Sequence, residues 1–268
     1  MAITENFIRD PNVAGSFYEK NPLILQKNIT AFFRRKKPPK EIGNKRVRAV
    51  ISPHAGHLYC GTVMASVYQL LQNKEYGRVI LIGPSHSVAF GSVAFDTAHT
   101  WKTPLGIIPI DTKTNELLLF QEQFDVLPKV FDREHSLEVQ LPFLQTVIPF
   151  FSLLPLCTGQ DLPHARIAQT ISSFLSDEAV IIVSSDFSHY HKETEATAID
   201  HTSIQAILSR NPERIDKTVD ACGLEGIKIL NDISVMNHWR PFLTDYQTSG
   251  DVTGDVEGVV GYAGFAYV

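Results

Sequence analysis

The sequence has little cysteine. Its three thiols, Cys60, Cys157 and Cys222, lie far apart in a chain of 268 residues. An odd and sparse set of cysteines argues against a disulfide framework and is typical of a protein in a reducing compartment. Because free cysteine is usually a small buried residue, we expect Cys60 and Cys157 to belong to the core.

Long hydrophobic runs are also missing. No stretch reaches the ~18 consecutive apolar residues that a membrane-spanning helix needs. The first residues, MAITENFIRDPNV, show no charged segment followed by an apolar run, so we predict no secretory signal. We therefore expect a cytoplasmic protein that does not bind a membrane.

The chain has no excess of positive charge. It carries 24 Lys and Arg against 29 Asp and Glu, a formal net charge of −5. Proteins whose main partner is duplex nucleic acid normally show a basic balance or a basic patch. The charge therefore disfavours nucleic acid as a partner.

What is present is a globular composition, with 44% hydrophobic and 20% charged residues. Short Val- and Ile-rich runs alternate with segments of helical spacing, which is typical of a sheet covered by helices on both faces. We expect an α/β fold over residues 1–268, a single three-layer α/β/α domain with a mixed central sheet. Strands are predicted at 47–52, 78–83, 151–157, 179–184, 241–247 and 259–268, and a hairpin at 97–111. Helices are predicted from residue 22 and at 61–72, 112–124, 136–150, 162–175, 193–208 and 222–231.

Three of the predicted strands run into polar segments that carry histidine. The strand at 47–52 is followed by His54, the strand at 78–83 by His86, and the strand at 179–184 by Asp186 and His189. Ligands of open α/β sheets bind outside the carboxyl ends of the strands. A single histidine after a strand is most often a turn or capping residue, but three such strand ends indicate a common site if the strands are parallel neighbours.

The residue types at these strand ends favour a metal. Two imidazoles from two loops and one anionic ligand form a site with open positions, and imidazole suits zinc, copper and iron. The third ligand could be Asp186 or Cys222, which lies at a predicted helix start where the dipole favours the thiolate. The alternative for Cys222 is a small buried residue. Glu134 and His135 form another proton-carrying pair, for which composition alone favours surface capping of a helix.

Seven segments, taken in order, resemble the Memo family, also known as protein B of the AmmeMemoRadiSam system. They are AGSFY at 14–18, PHAG at 53–56, YCG at 59–61, GPSH at 83–86, EHSLEVQLP at 134–142, SSDFSH at 184–189 and ACG at 221–223. The family is similar in fold to the catalytic subunits of LigB-type class III extradiol dioxygenases, which hold non-haem iron(II) with two His and one Glu. The resemblance therefore implies a LigB-like fold.

The resemblance also implies a ligand set. His54 and His86 match the two histidine ligands, and Cys222 takes the place of the glutamate. A thiolate softens the site, so iron(II) or copper is the expected metal, with zinc possible. Asp186 and His189 match polar residues that line the same pocket.

Further pocket residues follow from the same resemblance. His135 is expected to support the pocket and, with Asp186 and His189, to be a candidate catalytic group. Tyr59 matches one residue of the surface by which animal Memo is reported to engage phosphotyrosine segments of a receptor kinase. Phe17 stands where the animal protein has Trp, and His57 stands where many members have an aromatic residue. These last three are candidate contacts for a substrate or peptide.

Several functions fit these residues. The first is a metal-dependent redox protein, related to dioxygenases, that acts on a small molecule or on a group of a partner protein. The second is a non-catalytic binding module or adaptor that takes a peptide, phosphorylated or carboxylate ligand in the same pocket. The resemblance adds a radical-SAM protein and an AMMECR-domain protein as expected partners. A zinc hydrolase with Asp186 or Glu134 as base, and a decayed site that leaves only stabilising polar residues, are the remaining alternatives.

Overall fold

A computed structural model describes residues 7–36 and 39–268. Residues 1–6, part of the stretch in which no secretory signal is predicted, lie outside the described residues. The helices are α1 (Pro22–Arg35), α2 (His57–Tyr68), α3 (Thr112–Leu118), α4 (Leu141–Val147), α5 (His164–Ser173), α6 (Glu193–Ser209), α7 (Pro212–Thr218), α8 (Leu224–Met236) and α9 (Gly250–Thr253). The strands are β1 (Ile8–Arg9), β2 (Ala49–Ser52), β3 (Arg78–Pro84), β4 (Val93–Phe95), β5 (Thr100–Thr103), β6 (Gly106–Pro109), β7 (Phe124–Val126), β8 (Ser152–Thr158), β9 (Ala179–Ser184), β10 (His189–His191), β11 (Pro241–Thr248) and β12 (Val259–Tyr267).

A nine-stranded mixed sheet forms the centre of the fold. Its order is β10-β12-β2-β9-β3-β8-β4-β7, and β11 pairs with β12 outside this path. Strands β2, β9, β3 and β8 are parallel to one another. Antiparallel pairing of β12 with β2 and of β4 with β8 flanks this parallel core on both sides. The predicted mixed sheet is therefore confirmed, and β2, β9 and β3 are the parallel neighbours that a shared site requires.

Helices cover both faces of this sheet, because its central strands are apolar on both sides. In β3, Val79 and Leu81 pack into one core cluster, while Ile80 and Ile82 pack into the other. The first cluster contains residues of α1, α2 and α4, and the second contains residues of α5, α6, α7 and α8. The side chains of β3 alternate because successive residues of a strand point to opposite faces. This arrangement confirms the predicted three-layer architecture.

Several helix starts are encoded locally. The side chain of Asn21 accepts hydrogen bonds from the backbone N–H groups of Leu23 and Ile24, and Pro22 occupies the first position of α1. Asn211 caps α7 in the same way and is also followed by a proline. An Asn cap satisfies backbone donors that the first turn leaves free, and proline costs nothing there.

The predicted hairpin is confirmed, since β5 and β6 pair antiparallel. Two predicted helices are wrong in extent. The helix predicted at 112–124 ends at Leu118, and Phe124 instead begins β7. The helix predicted at 136–150 is helical only in α4, after a short 3₁₀ turn at Glu138–Gln140. There Pro142 lies in the first turn of α4, which is the position at which proline is tolerated.

Short elements were not predicted. Strands β4 and β10 have three residues each, and α7 has seven. Pairing with longer neighbours stabilises such strands, so their own sequences carry little periodic signal. Among the described residues, no helix is both long enough and apolar enough to cross a membrane.

Candidate metal centre

The three histidine-bearing loops meet at one edge of the sheet. Strands β2, β9 and β3 are adjacent and parallel, so their carboxyl ends lie together. His54, Asp186 and His86 each follow the end of one of these strands by two residues. The predicted meeting of these three loops is therefore present. It results from the order of the strands in the sheet, which cannot be read from the sequence.

Three donor atoms come together at this edge. One ligand atom each from His54, His86 and Cys222 lie within 4.8 Å of one another. The Cys222 Sγ is 3.3 Å from the His54 Nε2, and the rings of His54 and His86 stand nearly perpendicular with centroids 5.1 Å apart. Metal–ligand distances of 2.0–2.3 Å place two tetrahedral ligands about 3.5 Å apart. The three side chains therefore fit a transition metal both in donor chemistry and in spacing.

Glu134 holds His86 in place. Its Oε1 lies 2.9 Å from the His86 Nδ1, and its Oε2 accepts a hydrogen bond from the His86 backbone N–H at 2.6 Å. With Nδ1 engaged by a carboxylate, Nε2 remains free for a metal, an arrangement found in many metal sites. Glu134 is only 1% exposed. The interpretation of this residue as a surface cap is therefore wrong.

The pKa values of Glu134 and His86 indicate that the Glu134 carboxylate is charged. Burial alone would raise the pKa of Glu134, but the hydrogen bond and charge of His86 and the backbone N–H groups of Ser136 and His86 lower it to about 2. Burial alone would lower the pKa of His86, but the hydrogen bond and charge of Glu134 raise it. Glu134 is therefore ionised at neutral pH and fixes the orientation of His86.

Asp186 holds the backbone of His54. Its Oδ1 accepts a hydrogen bond from the His54 N–H at 2.7 Å, and the ring Nδ1 of His54 lies 2.9 Å from the Ser184 Oγ. Burial lowers the pKa of His54 well below its usual value, and the charges of His86 and His135 lower it further. A neutral imidazole is the form that binds a metal.

Cys222 comes from a different part of the chain. It lies in the loop before α8, where the N–H of Gly223 donates to the Ser185 Oγ at 2.9 Å. The backbone N–H of Asp186 donates to the Cys222 Sγ at 3.3 Å. Burial and the charge of Asp186 raise the pKa of the thiol. In the metal-free protein burial therefore favours the protonated thiol, contrary to the expectation that the helix start favours the thiolate.

The other predicted catalytic groups face the same space. Asp186, His189 and His135 all line an open cavity of about 530 Å³ next to the three donor atoms. Burial raises the pKa of Asp186 to about 7, although hydrogen bonds from the backbone of His54 and Ala55 act against this shift. Burial lowers the pKa of both His135 and His189. Asp186 can therefore exchange a proton near neutral pH.

Of the three candidate ligand contacts, Phe17 and Tyr59 line this cavity. The Phe17 ring packs on His135 with centroids 4.5 Å apart. His57 lies elsewhere: its Nε2 is 2.9 Å from the Val139 carbonyl oxygen, and its ring packs against Tyr18 and Phe143. His57 is buried and does not line the cavity.

Four cavity or support residues were missed by sequence reasoning. Tyr190 and Tyr262 line the cavity, and Ser184 and Gln140 are buried behind His54. The sequence does carry a sign that Ser184 and Gln140 have a special role, because each is a polar residue within an apolar run. Tyr262 lies on a strand that is distant in sequence and gave none.

Fold and site together define a class: an α/β protein with a His/His/Cys cluster at the carboxyl edge of a parallel sheet core. Comparison with known proteins identifies the family to which the chain belongs. Residues 9–266 match the family model described as "Memo-like protein". The chain is 34% identical to a MEMO1 family protein of Archaeoglobus fulgidus, over 97% of this chain and 99% of the relative. It is 37% identical to one from Methanosarcina acetivorans, over 96% and 97%. The chain belongs to the Memo family.

A solved structure supports the fold alone. The chain is similar to the crystal structure of an uncharacterized protein from Escherichia coli K12, with a TM-score of 0.53 and 11% sequence identity. The likeness covers 82% of this chain and 99% of the other. At this identity it carries information on architecture and none on chemistry.

Proposed function

We propose that this chain is a metal-dependent redox protein whose metal is held by His54, His86 and Cys222. The single observation that carries the proposal is the spacing of the three donor atoms within 4.8 Å of one another. Iron(II) or copper suits two imidazoles and a thiolate, and zinc is the third candidate. The substrate is a small molecule, or a group on a partner protein, that enters the open cavity.

The metal, when bound, supplies the electron transfer, and the side chains around it handle the substrate and its protons. Asp186, with a pKa of about 7, can hold or release a proton at its carboxylate near neutral pH. His135 and His189 are neutral at this pH because burial lowers their pKa values, so they can accept protons. Phe17 and Tyr262 contribute aromatic rings to the wall of the cavity.

The binding-module alternative finds less support in the cavity. Among the described residues that line it, none is Lys or Arg. Burial lowers the pKa values of His54, His135 and His189, so these imidazoles carry little positive charge at neutral pH. Glu134 raises the pKa of His86, which also lines the cavity, but the negative charge of this carboxylate offsets the imidazolium. A phosphorylated or carboxylate ligand would therefore meet little net positive charge there. Binding of such a ligand, of a radical-SAM protein or of an AMMECR-domain protein stays a prediction from the family resemblance.

Metal analysis tests the proposal. Protein purified without oxygen and reconstituted in turn with iron(II), copper(I) and zinc should hold about one ion of at least one of these metals per chain. The Cys222→Ser and His54→Ala variants should lose most of it, because each removes one of three ligands. The measurement is elemental analysis after gel filtration, with circular dichroism to check the fold.

Matched controls are available in the same chain. Cys157→Ala removes a buried thiol of β8 outside the cluster, and His201→Ala removes an exposed imidazole of α6. Both should keep the wild-type metal content. Full metal content in Cys222→Ser would exclude the thiolate as a ligand, and no metal in any reconstituted wild-type sample would refute the proposal.

A further inference from the structure

The support behind His54 is a fully buried polar relay. The Ser184 Oγ lies 2.9 Å from the His54 Nδ1, 2.8 Å from the Gln140 Nε2 and 2.6 Å from the Ser136 carbonyl oxygen. Ser184 and Gln140 are 0% exposed. Water therefore does not compete for these contacts, and the donors and acceptors must be matched within the protein.

The hydroxyl of Ser184 has only one proton to donate. The Ser136 carbonyl oxygen can only accept, so Ser184 donates its proton there. The Gln140 amide nitrogen can only donate, so Ser184 accepts from it. The remaining contact must then also be accepted by Ser184, and the His54 Nδ1 must carry the donated proton. Neutral His54 is thereby fixed with its proton on Nδ1 and a lone pair on Nε2.

The orientation of the Gln140 amide is itself fixed. Its Nε2 also donates to the Pro53 carbonyl oxygen at 2.8 Å, and its Oε1 accepts from the Tyr68 hydroxyl at 2.7 Å. The reversed amide would place the Gln140 oxygen against the Pro53 oxygen, leaving two acceptors in contact without a proton. Tyr68 is fully buried in the core. The relay is therefore anchored to rigid parts of the fold.

We propose that Ser184 and Gln140 are positioning residues that hold His54 as the Nδ1–H tautomer and so present its Nε2 lone pair to the metal. The inference deepens the proposed function and rests on it for the role of the metal. The Nδ1 of His86 contacts the Glu134 carboxylate directly. The Nδ1 of His54 instead contacts the neutral Ser184 hydroxyl, which Gln140 holds in place. Chemically different partners thus orient the two imidazoles so that each presents its Nε2 to a metal.

The tautomer can be measured in the metal-free protein. Nitrogen-15 NMR of histidine-labelled protein, with His54 assigned by its absence in His54→Ala, should show protonated Nδ1 and unprotonated Nε2. In Ser184→Ala the acceptor is lost, and a fraction protonated at Nε2 should appear. Gln140→Leu should give a smaller fraction, since Ser184 then has one fixed donor fewer. Ser234→Ala removes an equally buried hydroxyl that bonds the Asn231 backbone, and it should change nothing.

Metal affinity gives the second measurement. Competition with a chromogenic chelator should show a dissociation constant for zinc about 10- to 100-fold higher in Ser184→Ala than in wild type or Ser234→Ala. A wild-type His54 protonated at Nε2, or a Ser184→Ala protein that keeps only the Nδ1–H form, overturns the inference. The wild-type spectrum decides even if Ser184→Ala fails to fold. The expected tautomer in a protein that binds no metal would instead overturn the proposed function, and only the control of the His54 tautomer by Ser184 and Gln140 would stand.

Discussion

At the scale of single residues, neighbouring histidines have opposite roles. His54 and His57 both follow β2 and are both buried, but His54 faces the donor cluster and His57 faces the core. His54 precedes the turn into α2 and His57 is the first residue of that helix, so their side chains point in different directions. Burial lowers the pKa of His57 to about 4, although its hydrogen bond to the Val139 carbonyl acts against the shift. His57 is therefore a neutral core residue whose protonation is linked to folding.

This linkage predicts acid sensitivity. The unfolded chain protonates His57 near pH 6.5 and the folded chain only near pH 4, so the unfolded state binds more protons between these values. The stability that a neutral His57 provides is present above pH 6.5 and is lost as the pH falls towards 4. Between pH 7 and pH 5 the loss is about 2 kcal/mol. Urea unfolding at both pH values should show that His57→Gln reduces the pH dependence by about this amount.

The control for this experiment is His201→Gln. His201 is an exposed histidine of α6, and its replacement should leave the pH dependence of unfolding as in wild type. Equal pH dependence in wild type and His57→Gln would show that His57 is not the linked group.

At the scale of elements, the start of α8 determines where Cys222 lies. Gly223 forms the N-cap of α8 and packs against the end of β9. A Cβ atom at Gly223 would lie 2.6 Å from the Ser184 carbonyl oxygen and 2.6 Å from the Ser185 Cβ. Its φ of −92° is ordinary for any residue, so the need for glycine comes from this close approach alone.

Gly223→Ala should therefore move α8 away from β9 and carry Cys222 with it. We expect the free energy of unfolding to fall by about 1–3 kcal/mol, as is usual for overpacking. Metal affinity should fall as well, because the thiol is displaced from His54. Denaturant unfolding and chelator competition measure the two effects.

Gly91→Ala is the matched control, since a Cβ there would meet nothing within 4 Å. It should leave both stability and metal affinity close to wild type. Wild-type metal affinity in Gly223→Ala would show that the α8 start tolerates the extra methyl group.

At the scale of the whole molecule, a buried carboxylate ties the N-terminal segment to the body of the protein. Glu138 is 0% exposed and accepts from the Arg9 Nη1, from the backbone N–H groups of Asn12 and Val13, and from the Tyr18 hydroxyl, at 2.8–2.9 Å. The same segment places Phe17 at the cavity. Glu138 therefore fixes a segment that lies more than a hundred residues earlier in the chain, and with it the position of Phe17 at the cavity.

Glu138→Gln should leave the buried Arg9 guanidinium without its counter-charge. Breaking a buried pair in this way costs about 3 kcal/mol or more. We expect the free energy of unfolding to fall by this amount, measured by urea titration. The Asp10–Lys102 pair lies beside it but is exposed on both sides, so Asp10→Asn should change stability by no more than about 0.5 kcal/mol. Similar losses for the two variants would contradict a special role of Glu138.

The sequence by itself determined much of this protein. Apolar strand runs, turn residues and polar strand ends are local patterns, so they indicated the layered fold and pointed to His54, His86, Asp186 and His189. The ordered segments also indicated the Memo family, which the comparisons confirm. The residues alone left Asp186 and Cys222 both open as the third ligand, and the resemblance favoured Cys222, although a lone cysteine before a helix is most often a core residue.

Only the tertiary structure decided the rest. Strand order brings β2, β9 and β3 together, and no local pattern encodes which strands become neighbours. Surroundings then set protonation: burial favours the protonated Cys222 thiol without a metal and raises the pKa of Asp186 to about 7, whereas contacts with His86 keep the buried Glu134 ionised. The fold also directs His57 into the core. These properties depend on the surroundings of each side chain in space, and contacts across more than a hundred residues create those surroundings.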